Sequence, residues 1–294
     1  SGGRVRTGAE VTRSAGADTL TGLQVLVTRP EAQAEAWADT LRARGAHAVV
    51  APLLTLSPVS TPEAKQAIKQ CILDFDLYQK AIFVSQNAVA YAFEWLEDYW
   101  PQLPIRIEYY GVGERTGRAL EAYGVPVTAW QSDGAMNSEA LLAAPELQSV
   151  AGERIVIFRG VGARGVLAET LRERGARVDY CELYQRQCPN DAATQLNQAL
   201  VELNETPLMV ALHSGETLEN FHQVRRALPT AQAQRLARGT LLVPGERVAQ
   251  QARALGYTRV LTAENATDPG MLAALERAAI DPTLLQTDGT HDCD

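Results

Sequence analysis

Short apolar runs recur along the chain. Each is followed by a few small or polar residues and then by a stretch with helical spacing. The runs are LQVLV (23–27), AIFV (81–84), RIVIF (154–158), LMVAL (208–212) and TLLV (240–243). They are short and rich in Val, Leu and Ile, which predicts strands buried on both faces. After the first run, Ala34, Trp37, Ala38 and Leu41 sit at i, i+3, i+4 and i+7 and predict one buried helix face. Leu167, Ala168 and Leu171 repeat that stripe, with Arg164 in its first position. Thr116, Ala119, Leu120 and Tyr123 repeat the spacing again. Gly45, Gly124, Gly175 and Gly256 are placed to stop their helices in the left-handed conformation. Strand, turn, helix, strand in this order predicts an α/β fold with parallel sheets covered by helices.

The pattern is also duplicated. TLRARGA (40–46) returns as TLRERGA (170–176). IFVSQNAVAYAF, from Ile82, parallels VALHSGETLENF, from Val210, and sets Ser85 over Ser214. VGERTGRALEAYG, from Val112, parallels PGERVAQQARALG, from Pro244, and sets Gly113 over Gly245. Three segments in one order at nearly one offset indicate a repeated unit of about 130 residues, an ordinary domain size. APLLTLSPV (51–59) and DYCELYQRQCP (179–189) hold equivalent places in the two copies and end near Pro. They suit a two-stranded connector.

Composition narrows the class. The 294 residues are 46% hydrophobic and 21% charged, as in a folded globular protein. No apolar run approaches the ~20 residues of a membrane span. No apolar stretch follows Arg4, Arg6 and Arg13, so no secretory leader is expected. The net charge of −8 argues against broad nucleic-acid binding. Lys occurs only at 65, 69 and 80, so Arg, with its forked donors, carries almost all positive charge. Cys71, Cys181, Cys188 and Cys293 show no C-x-x-C spacing and the four His are scattered. No metal site or disulfide framework is expected, and a reducing cytoplasm fits.

Ligands of open parallel sheets sit at the carboxyl ends of the strands. The turns there are Thr28-Arg29-Pro30, Ser85-Gln86-Asn87, Gly111 to Thr116, Arg159 to Arg164 (with Gly160), His213 to Thr217, and Pro244 to Val248. Free N–H groups at helix starts, hydroxyls and guanidinium groups make such turns anion-binding. Taken singly, Ser85, Asn87 and Thr116 read as N-caps. Six such turns on two copies point to a shared anionic ligand. GVGERTG (111–117) resembles a dinucleotide loop, but its second copy keeps one Gly and the first strand is followed by TRPEAQ, so no nicotinamide cofactor is expected. Asp74 and Asp76 read as a solvated turn. Trp95, Tyr99 and Trp100 read as helix-end packing. Tyr184 reads as connector packing that also offers a hydroxyl donor.

LVTRPEAQAEAWADTLRARGA, the IFVSQNAV turn, YGVGERTGRAL and FRGVGARGVLAETLRERGARVDYCELYQR resemble the uroporphyrinogen-III synthase family over residues 22–280. The resemblance implies two flavodoxin-like lobes joined by a two-stranded ladder. It assigns 22–50 plus 190–280 to one lobe, 51–58 and 179–189 to the ladder, and 59–178 to the other lobe. Residues 1–20 and 281–294 are then flexible tails. It implies a cofactor-free, metal-free lyase that closes hydroxymethylbilane, an octacarboxylate, into uroporphyrinogen III with loss of water and inversion of ring D. The enzyme is expected as a cytoplasmic monomer without nucleic-acid or membrane partners. By position, the resemblance assigns Tyr184 and Thr116 to catalysis. Thr28, Arg29, Ser85, Asn87, Gly113, Arg159, Gly160, Arg164, Ser214 and Gly245 are assigned to substrate binding. Val248 stands where the family often has a hydroxyl residue. The other reading of the same turns is a non-catalytic two-lobed anion sensor.

Overall fold

A computed structural model describes residues 18–129, 138–162, 165–204 and 207–285. The chain divides into two compact units, one of residues 1–55 and 187–294, the other Leu56–Arg186.

In the first unit, strands β1 (Gln24–Val27), β2 (His47–Val50), β9 (Leu208–Ala211), β10 (Thr240–Pro244) and β11 (Val260–Ala263) form a parallel sheet in the order β11-β10-β9-β1-β2. Helices α1 (Glu31–Ala43), α7 (Ala192–Glu202), α8 (Gly215–Arg226), α9 (Thr230–Arg238), α10 (Gly245–Ala254) and α11 (Asp268–Ile280) cover it. Strand side chains alternate between two cores. Leu26, Val210, Leu241 and Val243 enter one. Val25, Val27, Met209, Ala211 and Leu242 enter the other. Both faces are dry, which is why the runs read as continuously apolar. The α1 stripe lands as its spacing requires, with Ala34, Trp37, Ala38 and Leu41 all buried.

The second unit contains β3 (Thr55–Pro58), β4 (Lys80–Phe83), β5 (Glu108–Gly111), β6 (Val127–Ala129), β7 (Arg154–Gly160) and β8 (Arg177–Gln187), in the order β3-β8-β7-β4-β5-β6. Its helices are α2 (Pro62–Leu73), α3 (Gln86–Tyr99), α4 (Glu114–Ala122), α5 (Ser138–Leu142) and α6 (Val166–Glu173). Again Ala81, Phe83, Val156 and Phe158 fill one core, and Ile82, Ile155 and Ile157 the other. The two segments expected as a ladder include β3 and β8, neighbours at the edge of this sheet. β8 pairs with β7 from Arg177 to Tyr184.

Several expectations need correction. Leu20, at the end of the expected first tail, is fully buried, and its N–H donates to the Arg44 carbonyl at 2.8 Å. Pro282–Leu285 form a 3₁₀ turn. The rest of both expected tails lies outside the described residues. Tyr123, expected on the buried face of α4, is 43% exposed: it caps the helix end at Ala122 and stacks its ring on Phe93. A Cβ on Gly111 would stand 2.9 Å from the Gly117 amide, so helix and strand approach backbone to backbone there. Gly45, Gly124, Gly175 and Gly256 have φ of 92°, 79°, 95° and 96°, as helix-stopping glycines should.

Lys80, at the start of β4, is nearly buried, with Nζ 3.1 Å from Glu108 and 2.9 Å from Glu153. Burial works to lower its pKa, but the two carboxylates outweigh it and the net shift is upward. Lys80→Met leaves two carboxylates near each other without their shared cation; both stay partly solvated, so the expected cost in urea unfolding is about 1–2 kcal/mol. The Tyr110 hydroxyl, and after it Lys80, hold the Glu108 carboxyl below its usual value against the opposing effect of burial. A depressed carboxylate pKa adds stability that is complete above the unfolded value of 4.5 and lost as pH falls through the folded one. The acid arm of the Tm–pH curve should therefore be shallower in Lys80→Met.

Candidate functional site

The turns after the strands carry the duplication into three dimensions. Ser85 caps α3 with φ −158° and ψ 163°. Ser214 caps α8 with φ −159° and ψ 163°. Each hydroxyl accepts from the amide three residues on, Ala88 and Thr217, at 3.1 Å. Gly113 and Gly245 likewise share a left-handed φ, 84° and 74°, at the starts of α4 and α10. Of the three residues read singly as N-caps, only Ser85 is one. Asn87 lies in the first turn of α3, and Thr116 is a buried residue within α4.

The second unit holds a cavity of about 250 Å³ whose lining includes Ser85, Arg159, Gly160, Tyr180, Tyr184 and Arg186. Four of these are expected site residues from three separate strands or turns. The Tyr184 and Ser85 hydroxyls are 3.1 Å apart, and either can donate. The Tyr184 ring stacks on Tyr91 of α3, centroids 5.0 Å apart and planes at 21°. Its other neighbour is Gly160, where a Cβ would lie 2.6 Å from the ring. Tyr184 is only 2% exposed, so it packs as expected of it, while its hydroxyl is turned to Ser85.

A register shift puts it there. Phe158 pairs with Cys181 and Arg159 with Glu182, but Gly160 pairs with Tyr184. Leu183 is the extra residue of a bulge. In an unbroken strand Tyr184 would follow Tyr180 and Glu182 onto one face. The bulge turns it to the face of Cys181 and Leu183, against α3.

Arg159 is held in the same cavity. Its Nε donates to the Gly160 carbonyl at 2.9 Å, and its guanidinium lies 4.6 Å from the Tyr180 ring centroid. The Gly165 N–H donates to the Tyr180 hydroxyl at 3.3 Å, tying the start of α6 to β8. The Arg159 and Arg186 guanidinium groups both border Gly162. Tyr91, Tyr180 and Arg186 were missed by sequence reasoning. Tyr180 and Arg186 share an extended segment with Tyr184, a signal of proximity, but the bulge breaks the even spacing between Tyr180 and Tyr184. Tyr91 carried none beyond its place in a helix.

In the first unit the expected residues divide. Ser214 and Gly245 lie half-exposed at helix starts. The Ser214 hydroxyl also meets that of Thr217 at 2.9 Å. Thr28 is fully buried and its hydroxyl donates to the Ala211 carbonyl at 2.6 Å. It ties β1 to β9 and is corrected from ligand to structural residue. Arg29 is paired with Asp268. Arg164 lies outside the described residues. Among the described residues no three of His, Cys, Asp and Glu gather as a metal site, and no helix is long and apolar enough to cross a membrane.

The family model described as uroporphyrinogen-III synthase HemD matches residues 35–273. Uroporphyrinogen-III synthase of Escherichia coli strain K12 is 34% identical over 259 residues, 86% of this chain and all of that protein. The Salmonella typhimurium enzyme of that name is 34% identical over 257 residues, with the same coverage. Among solved structures, a mutant uroporphyrinogen III synthase of the extremely thermophilic bacterium Thermus thermophilus aligns with a TM-score of 0.55 at 20% identity. That alignment covers 88% of this chain and 99% of the other. The Helicobacter pylori 26695 uroporphyrinogen-III synthetase aligns with a TM-score of 0.55 at 15% identity over the same shares. At such identities these two likenesses concern the fold.

Proposed function

The chain belongs to the uroporphyrinogen-III synthase family, and from that premise we propose that the Tyr184 hydroxyl, set by Ser85, assists the chemical step. The enzyme cyclises hydroxymethylbilane to uroporphyrinogen III, with loss of water and inversion of ring D. The single observation carrying the assignment of Tyr184 is its hydroxyl, 3.1 Å from Ser85 on the wall of an arginine-bordered cavity.

Departure of the bilane hydroxyl as water leaves an electrophilic azafulvene. Ring D attacks it through its substituted carbon, and the resulting spiro intermediate fragments and recloses with ring D reversed. Closure without protein gives the unflipped isomer, so the catalyst's work is orientation, aided by a hydrogen bond to the leaving hydroxyl. Tyr184 donates that bond while Ser85 fixes the direction of its O–H. In the second unit Arg159 and the turns at Asn87 and Gly113 bind substrate carboxylates, and in the first unit the turns at Ser214 and Gly245 offer donors of the same kind. Gly160 seats the Tyr184 ring. Thr116, buried in α4, serves by positioning the Gly113 turn. The enzyme works as a monomer in a reducing cytoplasm, the compartment that suits four cysteines without C-x-x-C spacing.

Purified protein given hydroxymethylbilane should yield the type III isomer on chromatography of the oxidised products. Type I alone would refute the reading. The two matched serines provide a finer test. Ser85→Ala and Ser214→Ala should each lose about 1 kcal/mol of stability as cap deletions. Only Ser85→Ala should also lower kcat, because only Ser85 meets Tyr184. Ser214→Ala should raise KM instead.

A further inference from the structure

The first unit carries a second cavity, of about 500 Å³, that none of the expected turns lines. It is bordered by Leu208 and Thr240, at the starts of β9 and β10, and by Arg259, immediately before β11. These strands are parallel, so their starts gather at one end of the sheet. Ser214 and Gly245 follow the strand ends at the other. The two sites therefore occupy opposite ends of one sheet.

The lining is cationic. Arg235 and Arg238 from α9 and Arg259 all border the cavity, and among the described residues no acidic side chain does. None of the three forms an ion pair among the described residues. Two of them use one nitrogen each on backbone. Arg235 Nη1 donates to the Leu200 carbonyl at the end of α7, at 2.5 Å. Arg259 Nη1 donates to the Arg238 carbonyl at 2.9 Å. These bonds fix two guanidinium planes and leave other N–H groups for a ligand. Arg235 Nη2 is buried and has no hydrogen-bond partner. A buried cationic donor without an acceptor is unfavourable unless something supplies one. Helix capping alone accounts for Nη1 but not for Nη2. Thr240, itself buried, adds a hydroxyl on the same wall.

We infer that this arginine-lined cavity at the strand starts of the first unit is a binding site for a small multivalent oxyanion, a phosphate group or a cluster of carboxylates. Charge-assisted forks from fixed guanidinium groups suit both chemistries. Arg238 and Arg259 are exposed and form the entrance, and Arg235 forms the partly buried inner contact. The inference does not depend on how the bilane is held.

The test uses full-length protein, with sodium chloride at matched ionic strength as reference. Inorganic phosphate and citrate are titrated separately by calorimetry and by thermal unfolding. One or both should give saturable heat and raise Tm by about 2 °C or more. A response to phosphate identifies the phosphate class, and a response to citrate alone the carboxylate class. Arg238→Gln/Arg259→Gln removes two exposed charges and should weaken binding at least about tenfold. Arg235→Gln should do the same if its circular dichroism is native. Type III product formation in the double variant should remain at the wild-type rate, which separates this site from the catalytic one. Two results overturn the inference. One is that neither anion differs from chloride. The other is that the folded double variant binds as wild type does.

Discussion

Tyr184→Phe is expected to lower kcat for type III product about a hundredfold, the lower range for loss of a positioned proton donor. The ring and its packing stay. Phe keeps the stack on Tyr91 and the contact with Gly160. What goes is one hydroxyl, whose partner Ser85 still caps α3 through the Ala88 amide. The stability cost should therefore be near 1 kcal/mol, a few degrees in Tm. KM should change little if, as proposed, the hydroxyl acts at the leaving group and other residues hold the carboxylates. Steady-state assays of the type III isomer beside a melting curve decide the matter. Unchanged kcat would remove Tyr184 from the chemical step. A collapse of Tm would recast it as a folding residue.

Gly160→Ala should damage the same step through geometry. Its Cβ would lie 2.6 Å from one ring carbon of Tyr184 and 2.9 Å from another. The ring cannot swing freely, since Tyr91 stacks on one side and the residue is buried. Either ring or strand must shift. Overpacking of this kind costs roughly 1–3 kcal/mol. A displacement approaching 1 Å at a catalytic group can cost about a hundredfold in rate. Loss of both stability and kcat is expected, with the larger fractional effect on kcat. The double variant Gly160→Ala/Tyr184→Phe provides the check. If Gly160 acts through Tyr184, the double variant should have a kcat close to the worse single one, not the product of the two losses. Multiplicative losses would show that Gly160 serves the reaction separately.

Much of the architecture was legible in local pattern. The apolar runs became strands because both sheet faces are covered. The α1 stripe was buried as its spacing required, and the four glycines stopped their helices. Ser85 and Ser214 were matched by the duplication before their nearly identical backbone angles were known. The site was legible only in part. Thr28 looked like a ligand because it follows a strand, yet its hydroxyl is spent on Ala211. Asn87 and Thr116 looked like caps because they lie near helix starts. A cap depends on one residue's backbone angles, which a shift of two positions in the helix boundary changes.

The sequence by itself determined that a strand–turn–helix unit occurs twice, that its turns carry hydroxyls, glycines and arginines, and that a tyrosine lies near the end of a long extended segment. These follow from periodicity and residue type, which act over a few neighbours. Only the tertiary structure decided which face that tyrosine takes. One extra residue at Leu183 in the pairing of β8 with β7 turns Tyr184 to Ser85 and Tyr91. Register is a relation between strands some twenty residues apart in sequence, and a step of one residue reverses every side chain beyond it.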